Sequence, residues 1–189
     1  MNELPVMLKL TGKHVVIVGG GRIAERKMKG LLGSGATITV VSPVINDEIR
    51  RLANQHSLIL IEREVMVDDL RKAFLIITST NSSEVNDFVV KHAGEQQLVN
   101  AAHDNSIGNV SFPASLRQGR LTISVSTGGA SPLLAKEIRD DLALTYDDTY
   151  GEYVERLHQL RVESKKMNLN DSERKKILEN ALKKEFLEF

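Results

Sequence analysis

Hydrophobic residues in the first half of the chain fall in short, nearly unbroken runs separated by polar stretches of helical length. The runs are Val15-Val16-Ile17-Val18, Thr37-Ile38-Thr39-Val40-Val41, Leu58-Ile59-Leu60-Ile61, Phe74-Leu75-Ile76-Ile77-Thr78 and Leu98-Val99-Asn100-Ala101-Ala102. Their length and β-branched content predict five strands, the first from His14 to Gly19. A short apolar approach segment, Val6 to Leu10, is turned into it by Thr11-Gly12-Lys13. Between the strands, helices are expected over about Ile23 to Leu32, ended by Gly33-Ser34-Gly35, and about Asn46 to Gln55, after Pro43. A helical turn spans Asp68 to Lys72. A fourth helix runs from Ser82 as N-cap to about Ala93, with Glu84 in its first turn. Runs that are apolar on both faces and joined by helices argue for a parallel sheet covered on both sides. Ligands of such sheets bind beyond the carboxyl ends of the strands. Those ends are Gly19 to Gly21, Ser42-Pro43, Thr78 to Thr80 and His103-Asp104, and they are expected to surround one crevice.

After Asp104 the rhythm changes. Val110-Ser111-Phe112-Pro113-Ala114 reads as extended, with Pro113 ending a strand, and Leu116 to Gly119 as a turn or short connection. Leu121 to Ser126 alternates apolar and polar residues, the pattern of a half-covered strand. Thr127-Gly128-Gly129-Ala130-Ser131-Pro132 follows, then a helix over about Leu133 to Leu144, with Ser131 as N-cap and Pro132 at the first helical position. From Tyr150 onward two charged amphipathic helices are expected, broken at Asn168 to Asp171, with Asp171 or Ser172 capping the second. The expected fold is α/β: a Rossmann-type parallel sheet with helices on both faces over 1–112, a small α+β region over 113–145, and a helical C-terminal tail over 146–189.

The candidate chemistry begins at Gly19-x-Gly21-x-x-Ala24, which fits the dinucleotide fingerprint and stands between a buried strand and a helix. Gly19 permits the tight turn, Gly21 lets a pyrophosphate approach the backbone, and Ala24 lets the helix pack close to the sheet. The N–H groups of Arg22 and Ile23 would meet the phosphates at the positive end of the helix dipole. A merely structural glycine turn is the plainer alternative. The acid usual at the end of the second strand is missing, and Val40-Val41-Ser42-Pro43 offers Ser42 and backbone groups instead. No arginine follows directly either, so the residues leave NAD against NADP open. The cofactor is expected to touch Gly19, Gly21, Arg22, Ile23, Ser42, Pro43, Val44, Thr78, Ser79 and Thr80.

Composition narrows the partners. Hydrophobic residues make up 41% of the 189 and aromatics only 4%, so the core is aliphatic. Lys plus Arg and Asp plus Glu are 25 each, and a net charge of zero gives no footprint for nucleic acid. No apolar run approaches the ~18–20 residues that span a bilayer. The first residues lack a secretory pattern, so a cytoplasmic protein with no membrane partner is expected. With no cysteine in the sequence, disulfides, thiolate metal sites and thiol nucleophiles are excluded. His14, His56, His92 and His158 show no metal-ligand spacing, and no metal site is expected. Lys165-Lys166 and Lys183-Lys184 read as solvated helical faces.

Gly19-Gly20-Gly21-Arg22-Ile23-Ala24-Glu25-Arg26-Lys27, Phe112-Pro113-Ala114 and Ser126-Thr127-Gly128-Gly129-Ala130-Ser131-Pro132 together resemble the precorrin-2 dehydrogenases of siroheme biosynthesis. The resemblance covers roughly residues 1 to 145. It implies NAD-dependent oxidation of precorrin-2 to sirohydrochlorin by a homodimer, with 113–145 supplying the interface and part of the substrate site. Some members also insert ferrous iron, and no room is left for the methyltransferase module of the fused siroheme synthases. Within that frame Asp104 is placed to accept a proton, and a register uncertain by one residue leaves His103 as the alternative. Many relatives carry aspartate at or beside position 103, so the histidine puts iron insertion in more doubt than dehydrogenation. The amides of Gly128, Gly129 and Ala130 form a candidate carboxylate nest, with Ser126, Thr127 and Ser131 adding hydroxyls. Thr127 stands where relatives often have serine and keeps the hydroxyl. His103-Asp104-Asn105-Ser106 read without the resemblance is a capped turn. The rival from another class is an NAD-sensing regulatory module.

Overall fold

Val15, Val16, Ile17 and Val18 are all buried, so β1 (His14–Val18) is covered on both faces. In the computed structural model, which describes residues 3–56, 58–104 and 107–185, β1 is the centre of a five-stranded parallel sheet. Its order is β3-β2-β1-β4-β5, with β2 Thr37–Val41, β3 Ile59–Ile61, β4 Leu75–Thr78 and β5 Leu98–Ala101. Val18 lies in register with Val41 and Thr78, so the three central strands end level. The chain winds outward from β1 to β3 and then returns to β4. The β1–β4 boundary is therefore the switch point at which such sheets open a crevice.

Strand periodicity sorts the side chains into two cores. On one face Val15, Ile17, Val40, Leu75 and Ile77 pack with Ala24, Met28 and Leu31 of α1 (Arg22–Leu31) and Ile49 and Leu52 of α2 (Asp47–His56). On the other, Val16, Val18, Val41, Ile76 and Val99 pack with Leu70 of α3 (Val67–Leu70) and Val89 of α4 (Ser83–His92). The expected α/β architecture is observed, and its caps follow from the sequence. Gly33, with φ +76°, follows the end of α1, and the Ser82 hydroxyl accepts from Val85 N at 3.3 Å to start α4.

The chain divides into two compact units, 1–112 and 113–189. The second opens with an antiparallel hairpin, β6 (Ala114–Gln118) and β7 (Leu121–Val125). Leu116 to Gln118, expected as a connection, is thus a strand, and the turn is Gly119-Arg120. Pro113 precedes this strand rather than ending one. The helices α5 (Pro132–Thr145), α6 (Asp148–Lys166) and α7 (Asp171–Glu185) follow. Asp147 caps α6, accepting from Thr149 N at 3.0 Å, so that helix starts ahead of Tyr150. The cap of α7 is Asn170, not Asp171 or Ser172. Its Oδ1 accepts from Glu173 N at 3.0 Å while Glu173 Oε2 accepts from Asn170 N at 2.9 Å, a reciprocal capping box.

Gly151 of α6 lies against the hairpin turn: a Cβ there would sit 3.1 Å from the Gln118 carbonyl carbon. Residues 146–153 carry an edge-on aromatic series, Tyr146 against Tyr150 at 4.9 Å and Tyr150 against Tyr153 at 6.1 Å between ring centroids. Among the described residues no helix is long and apolar enough to cross a membrane.

Candidate active site

The three glycines after β1 do three different things. Gly19 has φ +124°, and a Cβ on it would lie 2.8 Å from the Ser79 carbonyl oxygen, so it seals the ends of β1 and β4 together. Gly20 is packed tighter still: its Cβ would lie 2.0 Å from the Val44 carbonyl oxygen. Its own carbonyl accepts from Asn46 N at 3.0 Å, which ties the loop to the segment after β2. Sequence reasoning gave Gly20 no role, and only the run of three glycines hinted at one. Around Gly21 a Cβ would meet nothing within 4 Å.

Gly21 is also the N-cap of α1 and supplies no side-chain cap. The N–H groups of Arg22 and Ile23 open the helix, where no carbonyl of the preceding turn can take them. Open space, helix amides and the positive end of the dipole together fit a pyrophosphate. Glu25, in the first turn, is turned aside and neutralised. It accepts from Lys29 at 2.8 Å and from Asn46 Nδ2 at 3.0 Å, and the Lys29 contact holds its carboxyl below the ordinary range.

At the end of β2, Ser42 N donates to Ile61 O at 3.1 Å and its hydroxyl donates to Val44 O at 2.8 Å. Pro43 and Val44 are exposed beside the glycine loop, Val44 by 78%. At the end of β4, Thr78 is completely buried and its hydroxyl donates to Asn86 Oδ1. Ser79 is nearly buried, with its N–H on Val18 O at 2.9 Å. Thr80 is half-buried. Asn86 Oδ1 accepts from Thr80 N at 3.2 Å and its Nδ2 donates to Thr80 O at 3.2 Å. Thr78 therefore shapes the loop from below, and Thr80 is the member of the trio with surface to offer. Asn86, on α4, was missed because its partners are identified only in space. Asn86→Ala strips a buried acceptor and donor from this loop. It is expected to cost about 1–3 kcal/mol, read as a lowered urea midpoint with unchanged m-value.

Ala102 N donates to Thr78 O at 2.9 Å, which carries the end of β5 alongside the β4 loop. His103 and Asp104 follow and are both exposed. Asn105 and Ser106, the rest of the turn expected there, lie outside the described residues. Asn109 brings the chain back: its Oδ1 accepts from Val99 N at 2.7 Å.

In the second unit Ser126 to Ser131 form a closed polar loop. Thr127 Oγ1 donates to Ser131 O and accepts from Ser131 N, both at 3.0 Å. Gly128 N donates to Ser126 Oγ at 3.2 Å and Ala130 N to Thr127 O at 3.1 Å. Two amides of the expected nest are thus used to shape the loop, leaving Gly129 N of the three. Gly128 and Gly129 have φ +59° and +84°, and a Cβ on either would meet nothing within 4 Å. Ser131 Oγ accepts from Leu134 N at 3.2 Å as the cap of α5. Among the described residues no group of three or more His, Asp or Glu could hold a metal ion.

A doubly wound sheet with an uncapped, glycine-led helix at its switch point defines a dinucleotide-binding protein. A family described as putative NAD(P)-binding matches residues 6–114, and one described as the sirohaem biosynthesis protein central region matches 118–143. The chain belongs to the precorrin-2 dehydrogenase family. It is 42% identical to the precorrin-2 dehydrogenase of Priestia megaterium over 92% of this chain and 86% of that one. Identity to the precorrin-2 dehydrogenase of Bacillus subtilis is 39%, over 84% of this chain and 98% of that one. A solved structure, "SirC, precorrin-2 dehydrogenase", superposes with a TM-score of 0.87 at 39% identity, over 97% of this chain and 92% of that one.

Proposed function

We propose that the protein oxidises precorrin-2 to sirohydrochlorin, with NAD as hydride acceptor. The reading is carried by the uncapped start of α1, where open space at Gly21 meets the unshared amides of Arg22 and Ile23. These groups, with Gly19, would hold the pyrophosphate. Ser42, Pro43 and Val44 would receive the adenosine end, and Ser79 and Thr80, shaped by Thr78, the nicotinamide end. When bound, the nicotinamide would supply the hydride acceptor. The substrate loses one hydride and one proton, so the protein must supply a proton acceptor. Asp104 takes that role, with His103 the neighbouring candidate. The substrate is a tetrapyrrole with carboxylate-ended arms, and Gly129 N and the hydroxyls of Ser126 and Ser131, on a loop shaped by Thr127, Gly128 and Ala130, would receive some of them.

NAD is favoured over NADP by the arginines near the ends of β2 and β3. Arg50 is paired with both oxygens of Glu62, and Arg63 with both oxygens of Asp69, so neither is left for a 2′-phosphate. The active form would be a homodimer, which gives a purpose to Leu133, Leu134, Ile138 and Leu144, all exposed on α5.

Incubation with precorrin-2 and NAD tests the reading. NADH and sirohydrochlorin are expected in equal amounts, with NADP far slower. Intact NAD binding without NADH production would refute it and leave the sensory reading in its place.

A further inference from the structure

α1 turns Ala24, Met28 and Leu31 to the sheet. Glu25 and Lys29 turn to α2 and its approach, where they meet Asn46 and Glu48. Ile23 and Lys27, one turn apart, therefore run down the opposite flank. Phe112 marks that flank, with Lys27 Nζ lying 4.4 Å from its ring centroid. The segment carrying Phe112 is fastened to β5. Val110 N donates to Val99 O at 3.2 Å, and Val110 O accepts from Asn100 Nδ2 at 2.9 Å. Helical side chains lean toward the helix N-terminus. The Cα–Cβ bond of Lys27 thus points toward the carboxyl ends of the strands, and its ammonium rests on Phe112.

Lys27 is half-buried, and among the described residues no carboxylate pairs with it. Arg26 beside it carries the same sign. Glu3, the acid held against the Phe112 segment, accepts from Ser111 Oγ at 3.4 Å. Burial, and then repulsion from Arg26, push the Lys27 ammonium down to about 8. Lys29, two residues on, meets two carboxylates, Glu25 and Glu48. A cation–π contact with Phe112 is a weak return for desolvating an ammonium. Asn100 adds a second unmatched polar atom on this segment. Its Oδ1 is buried without a hydrogen-bond partner, and it lies in register with Ile77, on the α1 side of the sheet.

We propose that Lys27 is a substrate-binding residue whose ammonium receives one carboxylate of the tetrapyrrole. The inference rests on precorrin-2 being the substrate. The cofactor's phosphates have their donors at Gly21 to Ile23, one turn away. The flank that Lys27 occupies is the one beside β5, whose end carries His103 and Asp104. A carboxylate arriving there meets a cation that burial has already stripped of part of its water, and its binding holds the proton on Lys27.

Lys27→Met and Lys27→Arg test this, read by NADH affinity, sirohydrochlorin affinity from its fluorescence, and KM for precorrin-2 between pH 7 and 9. Wild-type KM is expected to rise roughly tenfold across that range as the free ammonium deprotonates, with kcat little changed. Lys27→Met should show the raised KM already at pH 7, stay flat to pH 9, bind sirohydrochlorin correspondingly weakly and keep wild-type NADH affinity. Lys27→Arg should restore a low KM that no longer depends on pH, because its guanidinium stays charged. A Lys27→Met enzyme with wild-type KM and sirohydrochlorin affinity overturns the assignment, as does an equal loss of NADH binding. A wild type that neither oxidises precorrin-2 nor binds sirohydrochlorin overturns the substrate reading itself, and this inference with it.

Discussion

Asp104→Ala is expected to lower kcat for precorrin-2 oxidation by about a hundredfold to ten-thousandfold, the span typical of a lost general base. NAD affinity should be untouched, because Asp104 stands beyond β5 and the phosphates would be met at α1. His103→Ala should lose less. The two residues are adjacent and both exposed, so their order of loss, in parallel steady-state assays, decides which side chain takes the proton. A larger loss at His103 would move the role there.

Gly21→Asp is expected to abolish measurable NAD binding while leaving the thermal midpoint unchanged or slightly raised. Gly21 has φ −93°, which any residue adopts, and its added Cβ meets no protein atom. Aspartate is also a better N-cap than glycine by a few tenths of a kcal/mol or more. Against the pyrophosphate the same carboxylate is a like charge at close range, worth roughly 4 kcal/mol per unit charge at 4 Å in a surface dielectric. Gly20→Ala should do the reverse. Its methyl would overlap the Val44 carbonyl oxygen and sit 2.8 Å from Ile45 Cα, so backbone must move at a cost of about 1–3 kcal/mol or more. Titration calorimetry and a thermal melt on the two variants separate binding from folding. Wild-type NAD affinity in Gly21→Asp would take the cofactor away from this loop.

The parallel sheet was readable because both its faces are buried. Burial turns β1, β2, β4 and β5 into nearly unbroken apolar runs that leave little choice of register or type. Ser82 and Ser131 were readable as caps because a cap acts within one turn of chain. The first strand of the hairpin was not, although the second, Leu121–Val125, was. Ser115 and Arg117 interrupt Ala114, Leu116 and Gln118, so a strand with one exposed edge reads like a polar connection. The start of α7 was ambiguous because several side chains near the break can cap, and the reach of Glu173 back to Asn170 decides between them. At the site, a motif with free positions named Gly19 and Gly21 and passed over Gly20, whose constraint comes from Val44 across the loop. Asn86 and Lys27 share that history. One is defined by Thr78 and Thr80 across the loop between β4 and α4, the other by Phe112, which is far from it in sequence.

The edge-on tyrosines of α6 and its approach are the three tyrosines of the whole chain, and there is no tryptophan. Intrinsic ultraviolet emission therefore comes from residues 146–153 in the second unit, while far-ultraviolet dichroism sums helices from both. Melting followed by the two signals together shows whether the units unfold in concert or in sequence. Reduced cofactor bound to the first unit can be watched by its own emission against a background free of indole.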